Sequence, residues 1–141
     1  MAATGIHHVA LTVNDWAKSN AFYNEFIGAI GGKGIMGGEG APHKDATCHW
    51  CAFAGPGFML TLWEAKPELR RNSFQMYNVG LHHVAFAAGS RADVDALFDK
   101  LKSLGANILD APREYPYVPG YYAVFFTDPD GMKLEYVHVP S

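Results

Sequence analysis

Two histidine pairs and one glutamate stand where strands usually carry apolar residues. The pairs are His7-His8 and His82-His83, and Glu135 lies within the apolar run 134–137. A carboxylate buried alone is costly unless it is paired or bound to a metal. One imidazole from each pair, together with the carboxylate, forms the 2-His-1-carboxylate ligand set. Such a set leaves metal positions open for a substrate or for dioxygen, so the sequence predicts a metal centre.

The histidine pairs belong to an internal repeat. Gly5-Ile6-His7-His8-Val9-Ala10-Leu11 and Gly80-Leu81-His82-His83-Val84-Ala85-Phe86 are identical at five of seven positions. Each copy alternates like a half-buried strand, which predicts strands over 5–13 and 80–88. One member of each pair would then face each side of its sheet. Two of the four histidines are therefore predicted to be ordinary strand residues.

Each predicted strand is followed by a helix. An N-cap at Asn14 or Asp15 begins the first helix, which is expected from Trp16 to about Phe26. The second begins after Ser90, and its apolar residues recur at helical spacing. These are Val94, Leu97, Phe98, Leu101 and Leu104.

About three strands follow each helix. Hairpins are predicted over 48–54 with 58–64 and over 121–127 with 132–139, and weaker strands near Ile35 and Ile108. The order predicts an α+β fold of two tandem βαβββ modules, which form a curved, half-barrel-like mixed sheet around a central cleft. One domain would span 1–141, with module 1 at about 1–65, a connector at 66–79 and module 2 at about 80–141.

Composition excludes several classes of partner. The 141 residues are 49% hydrophobic and carry a net charge of −3, with no basic stripe to bind nucleic acid or an anionic membrane. No apolar run approaches the ~20 residues that span a bilayer. The first residues lack the pattern of a signal peptide. We expect a cytoplasmic protein with a small-molecule substrate.

The sheet edges and the cysteines allow two further expectations. Exposed edges predict a homodimer, and the sequence leaves open whether the site forms within one chain or between two. Cys48-His49-Trp50-Cys51 can be a redox or metal-binding motif, or two strand residues. On a strand these cysteines would face opposite sides, which disfavours a disulfide, so we favour strand residues.

Three segments resemble the vicinal oxygen chelate superfamily: His8-Val9-Ala10-Leu11-Thr12-Val13, His83-Val84-Ala85-Phe86 and Asp128-Pro129-Asp130-Gly131-Met132-Lys133-Leu134-Glu135. The resemblance covers essentially the whole chain. The superfamily includes glyoxalase I, fosfomycin-resistance transferases, methylmalonyl-CoA epimerase, ring-cleaving dioxygenases and bleomycin-resistance proteins. It implies that the ligand is the histidine directly before the valine, which selects His8 and His83. With Glu135 they would hold one divalent ion, namely Fe²⁺, Mn²⁺, Ni²⁺ or Zn²⁺.

The resemblance implies four metal ligands in glyoxalase I, namely two histidines and two glutamates. This sequence differs at the fourth ligand position. The repeat puts Thr61 at the position that matches Glu135. Glu64 lies three residues later and would face the other side of a regular strand, unless a β-bulge intervenes. A three-ligand centre favours dioxygenase-type chemistry. A glyoxalase I-like lyase or isomerase is the alternative.

Two residues are candidates for acid–base catalysis. A hairpin register with Val124 opposite Glu135 puts Tyr122 on the face of the carboxylate, and the repeat maps Tyr122 onto His49. The alternative is a core tyrosine and a half-exposed histidine. The proline- and tyrosine-rich loop 113–120 is a candidate lid.

Two other functions remain open. Bleomycin-resistance relatives sequester a ligand without chemistry, although the intact ligand set at His8, His83 and Glu135 counts against this. A thiol transferase that activates a small electrophile on Mn²⁺ would need cations for anionic oxygens. The candidates for such a cation site are Arg113, Lys44 and Lys133.

Overall fold

The computed structural model describes residues 2–40 and 48–140. Contacts divide the described chain into two compact units, one ending at Asn72 and the other beginning at Ser73. Each unit contains one four-stranded sheet and one α-helix. Lys44, one of the predicted cations, lies outside the described residues.

The first unit has the order strand, helix and three strands. Its sheet has the order β1-β4-β3-β2, with β1 parallel to β4 and the other pairs antiparallel. A short 3₁₀ turn, Pro67–Leu69, follows the last strand. The elements are β1 Val9–Val13, α1 Trp16–Ala29, β2 Lys33–Glu39, β3 His49–Gly55 and β4 Phe58–Glu64.

Helix α1 begins where the sequence predicts. The side chain of Asp15 accepts a hydrogen bond from the backbone N–H of Lys18 at 3.1 Å, as expected of an N-cap. Tyr23, Phe26 and Ile27 of α1 are fully buried. Together with the buried side chains of one sheet face they form the core of this unit. Those sheet residues are Leu11, Val13, Phe53, Leu60 and Leu62.

The second unit repeats the plan. Its sheet has the order β5-β8-β7-β6, again with one parallel pair, between β5 and β8. Ser90 caps α2 by accepting the N–H of Asp93 at 3.2 Å. Val94, Leu97 and Leu101 are buried. The elements are β5 Val84–Ala87, α2 Arg91–Ser103, β6 Asn107–Glu114, β7 Tyr122–Thr127 and β8 Lys133–His138.

The structure confirms the predicted α+β fold with two tandem βαβββ modules. The first strand of each module is shorter than predicted, because β1 begins at Val9 and β5 at Val84. Their parallel partners, β4 and β8, begin only one or two residues before the residues opposite these positions, so the ladder ends there. The histidine pairs therefore precede the strands instead of lying within them.

The helices among the described residues do not combine the length and hydrophobicity needed to cross a membrane.

Candidate metal centre

Glu135 is a buried carboxylate in the middle of a sheet. It lies in β8 between Ala85 of β5 and Phe125 of β7, and only 1% of its surface is exposed. The two neighbours of Glu135 along β8 are also buried, so both faces of the strand are covered at this point. Burial of an ionised carboxylate requires compensating partners, and Glu135 has two.

The two oxygens of Glu135 bind different groups. The hydroxyl of Tyr121 donates a hydrogen bond to Oε1. Nε2 of His83 lies 3.2 Å from Oε2. Burial, followed by the hydrogen bond to Glu135, raises the pKa of Tyr121, so this hydroxyl stays protonated and remains a donor. The carboxylate is thereby oriented, with one oxygen held by Tyr121 and the other directed at an imidazole.

His83 is a half-buried imidazole just before β5. Its ring meets that of Phe125 edge to face, with the centroids 6.4 Å apart. Burial lowers the pKa of His83, and the charges of Lys133 and His82 add to this effect, while Glu135 opposes it. The neutral imidazole is the form that binds a metal ion.

An aromatic cluster lies beside the carboxylate. Its buried members are Tyr115, Ala123 and Phe125, with Tyr121 packed against them. The ring of Tyr115 meets that of Phe125 edge to face at 5.2 Å. Nζ of Lys133 lies 4.2 Å from the centroid of the Phe125 ring. The site therefore combines a mostly apolar wall with a few polar groups, as small-molecule sites do.

The predicted lid begins later than expected. Arg113 and Glu114 belong to β6, so the loop proper spans 115–121. Residues 114–120 line a cavity of about 510 Å³, and in it the rings of Tyr115 and Tyr117 stack at 5.7 Å. Closure of this loop over a substrate stays a prediction.

His8 belongs to the first unit and is exposed. The register of that unit confirms the predicted counterpart of Glu135. Thr61 lies opposite Ala10, as Glu135 lies opposite Ala85 in the second unit. The hydroxyl of Thr61 accepts a hydrogen bond from Nε1 of Trp63 at 3.1 Å. The first unit therefore has a hydroxyl where the second has a carboxylate.

Glu64 has protein partners of its own. Oε2 accepts a hydrogen bond from the backbone N–H of His49 at 3.1 Å, and it lies 2.7 Å from Nδ1 of the same residue. Nη2 of Arg70 donates to Oε1 at 2.6 Å. Partial burial opposes ionisation, but these hydrogen bonds and the charge of Arg70 lower the pKa of Glu64. The carboxylate is thus an ionised, fully partnered group, three residues beyond Thr61.

The assumed register of the last hairpin is wrong by one residue. Phe125, not Val124, lies opposite Glu135. The cause is the turn: Asp128 Oδ1 accepts the N–H groups of Asp130 and Met132 at 2.9 Å each, so five residues separate the paired strand ends. The tyrosine that reaches Glu135 is consequently Tyr121. Counting in steps of two from Phe125 would have identified Tyr121.

The two predicted acid–base residues contact the helix of their own module. The hydroxyl of Tyr122 donates to Oδ1 of Asp95 in α2 at 2.8 Å. The ring of His49 stacks on Trp16, the first residue of α1, at 5.4 Å. The register that suggested Tyr122 is incorrect, because Phe125 lies opposite Glu135. The catalytic roles of Tyr122 and His49 stay untested predictions.

Cys51 is a strand residue of β3, whereas Cys48 lies just before that strand. Both are free thiols, and Sγ of Cys51 lies 3.7 Å from Oδ1 of Asn20 in α1. Burial raises the pKa of Cys51 to about 11. A redox cysteine has a lowered pKa instead.

The residues of the second unit fit a metal ion. Within 2–40 and 48–140, no three His, Cys, Asp or Glu side chains form a ready metal-binding group. The structure brings together His83 and Glu135, a neutral nitrogen and an oriented oxygen, which is a donor pair that divalent transition metals prefer. His8 lies in the other unit.

Comparison with known proteins identifies relatives of the chain. The family model of the Glyoxalase/Bleomycin resistance protein/Dioxygenase superfamily matches residues 5–136. The chain is 33% identical to 2-epi-5-epi-valiolone epimerase of an Actinomyces species, with 99% of this chain and 81% of that protein covered. It is 29% identical to metallothiol transferase FosB of Lysinibacillus sphaericus, with 96% of this chain and 83% of that protein covered.

A solved structure supports the same assignment. The glyoxylase/bleomycin resistance protein/dioxygenase domain from Frankia sp. EAN1pec superposes with a TM-score of 0.80 at 26% identity, covering 99% of this chain and 95% of that one. The match to this structure over almost the whole chain agrees with the paired βαβββ modules. The chain therefore belongs to the glyoxalase/bleomycin resistance protein/dioxygenase superfamily.

Proposed function

We propose that this protein is a divalent-metal-dependent enzyme that acts on a small, oxygen-bearing organic substrate. The observation that carries the proposal is the contact between His83 and the buried carboxylate of Glu135, which Tyr121 holds from the other side. His8 is proposed as the third ligand, because the sequence repeat and the register of β1 give it the position that His83 has before β5. The metal would be Fe²⁺, Mn²⁺, Ni²⁺ or Zn²⁺.

A bound divalent ion would supply Lewis acidity to a substrate oxygen. The chain's own groups would do the rest. Glu135 and neutral His83 would bind the ion, and the aromatic wall of Phe125 and Tyr115 would exclude water from the substrate. Lys133, whose ammonium lies over Phe125, would attract negative charge on a substrate.

The relatives favour redox-neutral chemistry over the dioxygenase chemistry that the three-ligand set suggested. An epimerase and a metallothiol transferase are among them. Neither epimerisation nor group transfer changes the overall oxidation state of its reactants, and both can use a Lewis acid to stabilise a developing oxyanion. Dioxygenase activity and a glyoxalase I-like reaction stay as narrower alternatives, and a non-catalytic binding protein as the alternative outside enzymes.

Transfer of a thiol to an anionic electrophile is the second candidate, because Lys133 is available for it on the second unit. Arg113 is less suited, since Asp110 Oδ2 accepts hydrogen bonds from its Nε at 3.0 Å and from its Nη2 at 2.7 Å. The test is turnover of a small epoxide phosphonate with a thiol and Mn²⁺. Lys133→Met should raise the KM for the anionic substrate, and an unchanged KM would exclude this role of Lys133.

Metal analysis tests the main proposal. Protein prepared without chelator and dialysed against each metal should retain about one ion per chain. His8→Ala, His83→Ala and Glu135→Ala should each lose it, while the matched controls His138→Ala and Glu114→Ala should keep it. A parent protein that retains none of the four metals would overturn the proposal in favour of a binding protein. Because the homodimer is also a prediction, molar mass in solution should be measured on the same samples.

Two reaction assays separate the chemical classes. Metal-loaded protein is incubated in D₂O with a panel of small hydroxyketones, and proton exchange next to the carbonyl is followed by NMR. Exchange that depends on Glu135 supports redox-neutral chemistry. Anaerobic protein loaded with Fe²⁺ is then mixed with oxygenated catechols, and consumption of dioxygen would support the dioxygenase alternative instead.

A further inference from the structure

The first histidine of each pair contacts the second through the same atoms in both units. Nδ1 of His7 lies 2.9 Å from Nδ1 of His8, and Nδ1 of His82 lies 2.7 Å from Nδ1 of His83. The rings meet edge to face in each pair, at 5.2 Å and 85° in the first and at 5.0 Å and 73° in the second. Two separate stretches of chain thus adopt one arrangement, so the contact is a property of the repeat.

The contact restricts where the protons reside. A neutral imidazole carries one N–H and one lone pair. A hydrogen bond between two Nδ1 atoms therefore requires one ring to donate and the other to accept. If Nδ1 of His83 donates to His82, then Nε2 of His83 carries the lone pair. If Nδ1 of His83 accepts, then Nε2 carries the proton.

Nε2 is the atom of His83 that faces the carboxylate, 3.2 Å from Oε2 of Glu135. A metal ion held between these two atoms would need the lone pair on Nε2, so the proton of His83 must lie on Nδ1. Nδ1 of His82 is then the acceptor of that proton. Metal-bound histidines usually donate their second N–H to a hydrogen-bond acceptor, which fixes the tautomer and the ring orientation.

We propose that His82 and His7 are positioning residues, each of which accepts the Nδ1–H of the following histidine and so presents its Nε2 for metal binding. The inference rests on the proposed function. It replaces the expectation that these two histidines are ordinary strand residues. The ring of His82 is itself placed by an edge-to-face contact with Tyr77 at 5.3 Å.

The same contact also fits the metal-free protein. There Nε2–H of His83 would donate to Oε2 of Glu135, and Nδ1–H of His82 would donate to His83. With a metal ion bound, His83 would carry its proton on Nδ1 and His82 on Nε2, and the protons would change places by exchange with water. Each ring keeps one proton throughout, so no charge is gained or lost.

Substitutions at His82 separate positioning from packing. In His82→Asn the side-chain oxygen takes the place of Nδ1 and can accept the hydrogen bond, whereas His82→Phe keeps an aromatic ring without an acceptor. Zn²⁺ affinity, measured by competition with a chromophoric chelator, should fall about 10- to 100-fold in His82→Phe and recover most of that loss in His82→Asn. The His7 variants should show the same contrast, with a loss of affinity in His7→Phe and recovery of most of it in His7→Asn. Equal losses in both variants, or none in His82→Phe, would overturn the inference.

Nitrogen-15 NMR of the unsubstituted protein gives a readout that does not depend on the variants folding. The long-range proton–nitrogen correlations of Zn²⁺-loaded protein should show Nδ1 of His83 protonated and Nε2 free of hydrogen. A proton that stays on Nε2 of His83 would contradict the inference. If the parent takes up no Zn²⁺, the proposed function and this inference both fail. If it takes up Zn²⁺ as tightly as His82→Phe does, only the inference fails.

Discussion

Tyr121 donates its hydrogen bond to the one oxygen of Glu135 that does not face His83. The hydroxyl therefore satisfies Oε1 of a buried carboxylate and leaves Oε2 directed at the imidazole. Without this hydroxyl, Oε1 would lose this hydrogen bond, and of the two partners only His83 would still orient the carboxylate.

Tyr121→Phe should therefore weaken metal binding. Loss of a residue that orients a metal ligand typically lowers affinity about 10- to 100-fold, and we expect this for Zn²⁺ measured by chelator competition. The free energy of unfolding of the metal-free variant, measured with denaturant, should also fall by about 1–3 kcal/mol, because a buried carboxylate oxygen is left unsatisfied.

Tyr117→Phe is the matched control for Tyr121→Phe. Tyr117 lies in the same loop, and its ring meets that of Tyr121 edge to face at 5.1 Å, but its side chain is 66% exposed. Removal of its hydroxyl should leave the Zn²⁺ affinity unchanged. Equal affinities of the two variants would contradict the role given to Tyr121.

Glu64→Gln tests whether the first module contributes a fourth ligand. Because Glu64 binds His49 and Arg70, we expect the variant to retain as much metal as the parent. Its thermal unfolding temperature should fall, since the amide replaces a charge that accepts hydrogen bonds from two residues. Loss of metal comparable to that of Glu135→Ala would show instead that Glu64 is a ligand.

The fold could be predicted because the repeat, the helix caps and the helical spacing agree with one another. Ser90 and Asp15 cap helices where expected, and Val94, Leu97 and Leu101 of the predicted stripe are buried. Such features act within a few residues along the chain. The position of Thr61 could also be predicted, because the two modules share one register.

What the sequence could not reveal depends on single-residue register. The turn after Thr127 contains one more residue than assumed, and the side chain of Asp128 stabilises it by accepting the N–H groups of Asp130 and Met132. A shift of one residue turns every side chain of a strand to the other face. This is why Tyr122 was predicted in place of Tyr121. The contact within each histidine pair was missed for a related reason, since alternation holds only inside a strand.

The network around His49 makes stability depend on pH. The hydrogen bond to Glu64 raises the pKa of His49 above 6.5, and Glu39, 3.1 Å away, adds to the effect. A raised pKa means that the folded protein binds the proton more tightly than the unfolded chain. The contribution to stability is therefore complete below about pH 6.5 and is lost as pH rises through the higher, folded-state value.

The experiment is a pH series of unfolding temperatures for the parent and His49→Gln. The difference between them should be largest near pH 6 and should shrink towards pH 9. His138→Gln is the control, because Nδ1 of His138 lies 3.3 Å from the carbonyl oxygen of Ala88 and no carboxylate of the described residues pairs with His138. A difference for His49→Gln that stays constant from pH 6 to 9 would contradict the assigned protonation.

A separate effect appears at acidic pH. The pKa of Glu64 is lowered from 4.5, so its contribution is present above that value and is lost as pH falls below it. Glu64→Gln should therefore lose its stability difference from the parent as pH falls from 4.5 through the lower, folded-state pKa, while His49→Gln is compared above pH 6. The pH ranges over which these two contributions change do not overlap, so the titration of each partner can be assessed separately. A stability difference for Glu64→Gln that is the same at pH 7 and at pH 2 would argue against a lowered pKa.

Cys51 should react slowly with alkylating reagents in the folded protein. Its pKa of about 11, compared with 9.0 for an ordinary thiol, lowers the thiolate fraction near neutral pH about 100-fold, and only the thiolate attacks iodoacetamide. In Cys48→Ser, which retains Cys51 alone, labelling at pH 8 followed by intact mass should be at least that much slower in native buffer than in guanidinium chloride. Cys51→Ser gives the rate of Cys48 for comparison. Equal native and denatured rates in Cys48→Ser, or a disulfide-linked mass in the parent, would support the redox motif instead.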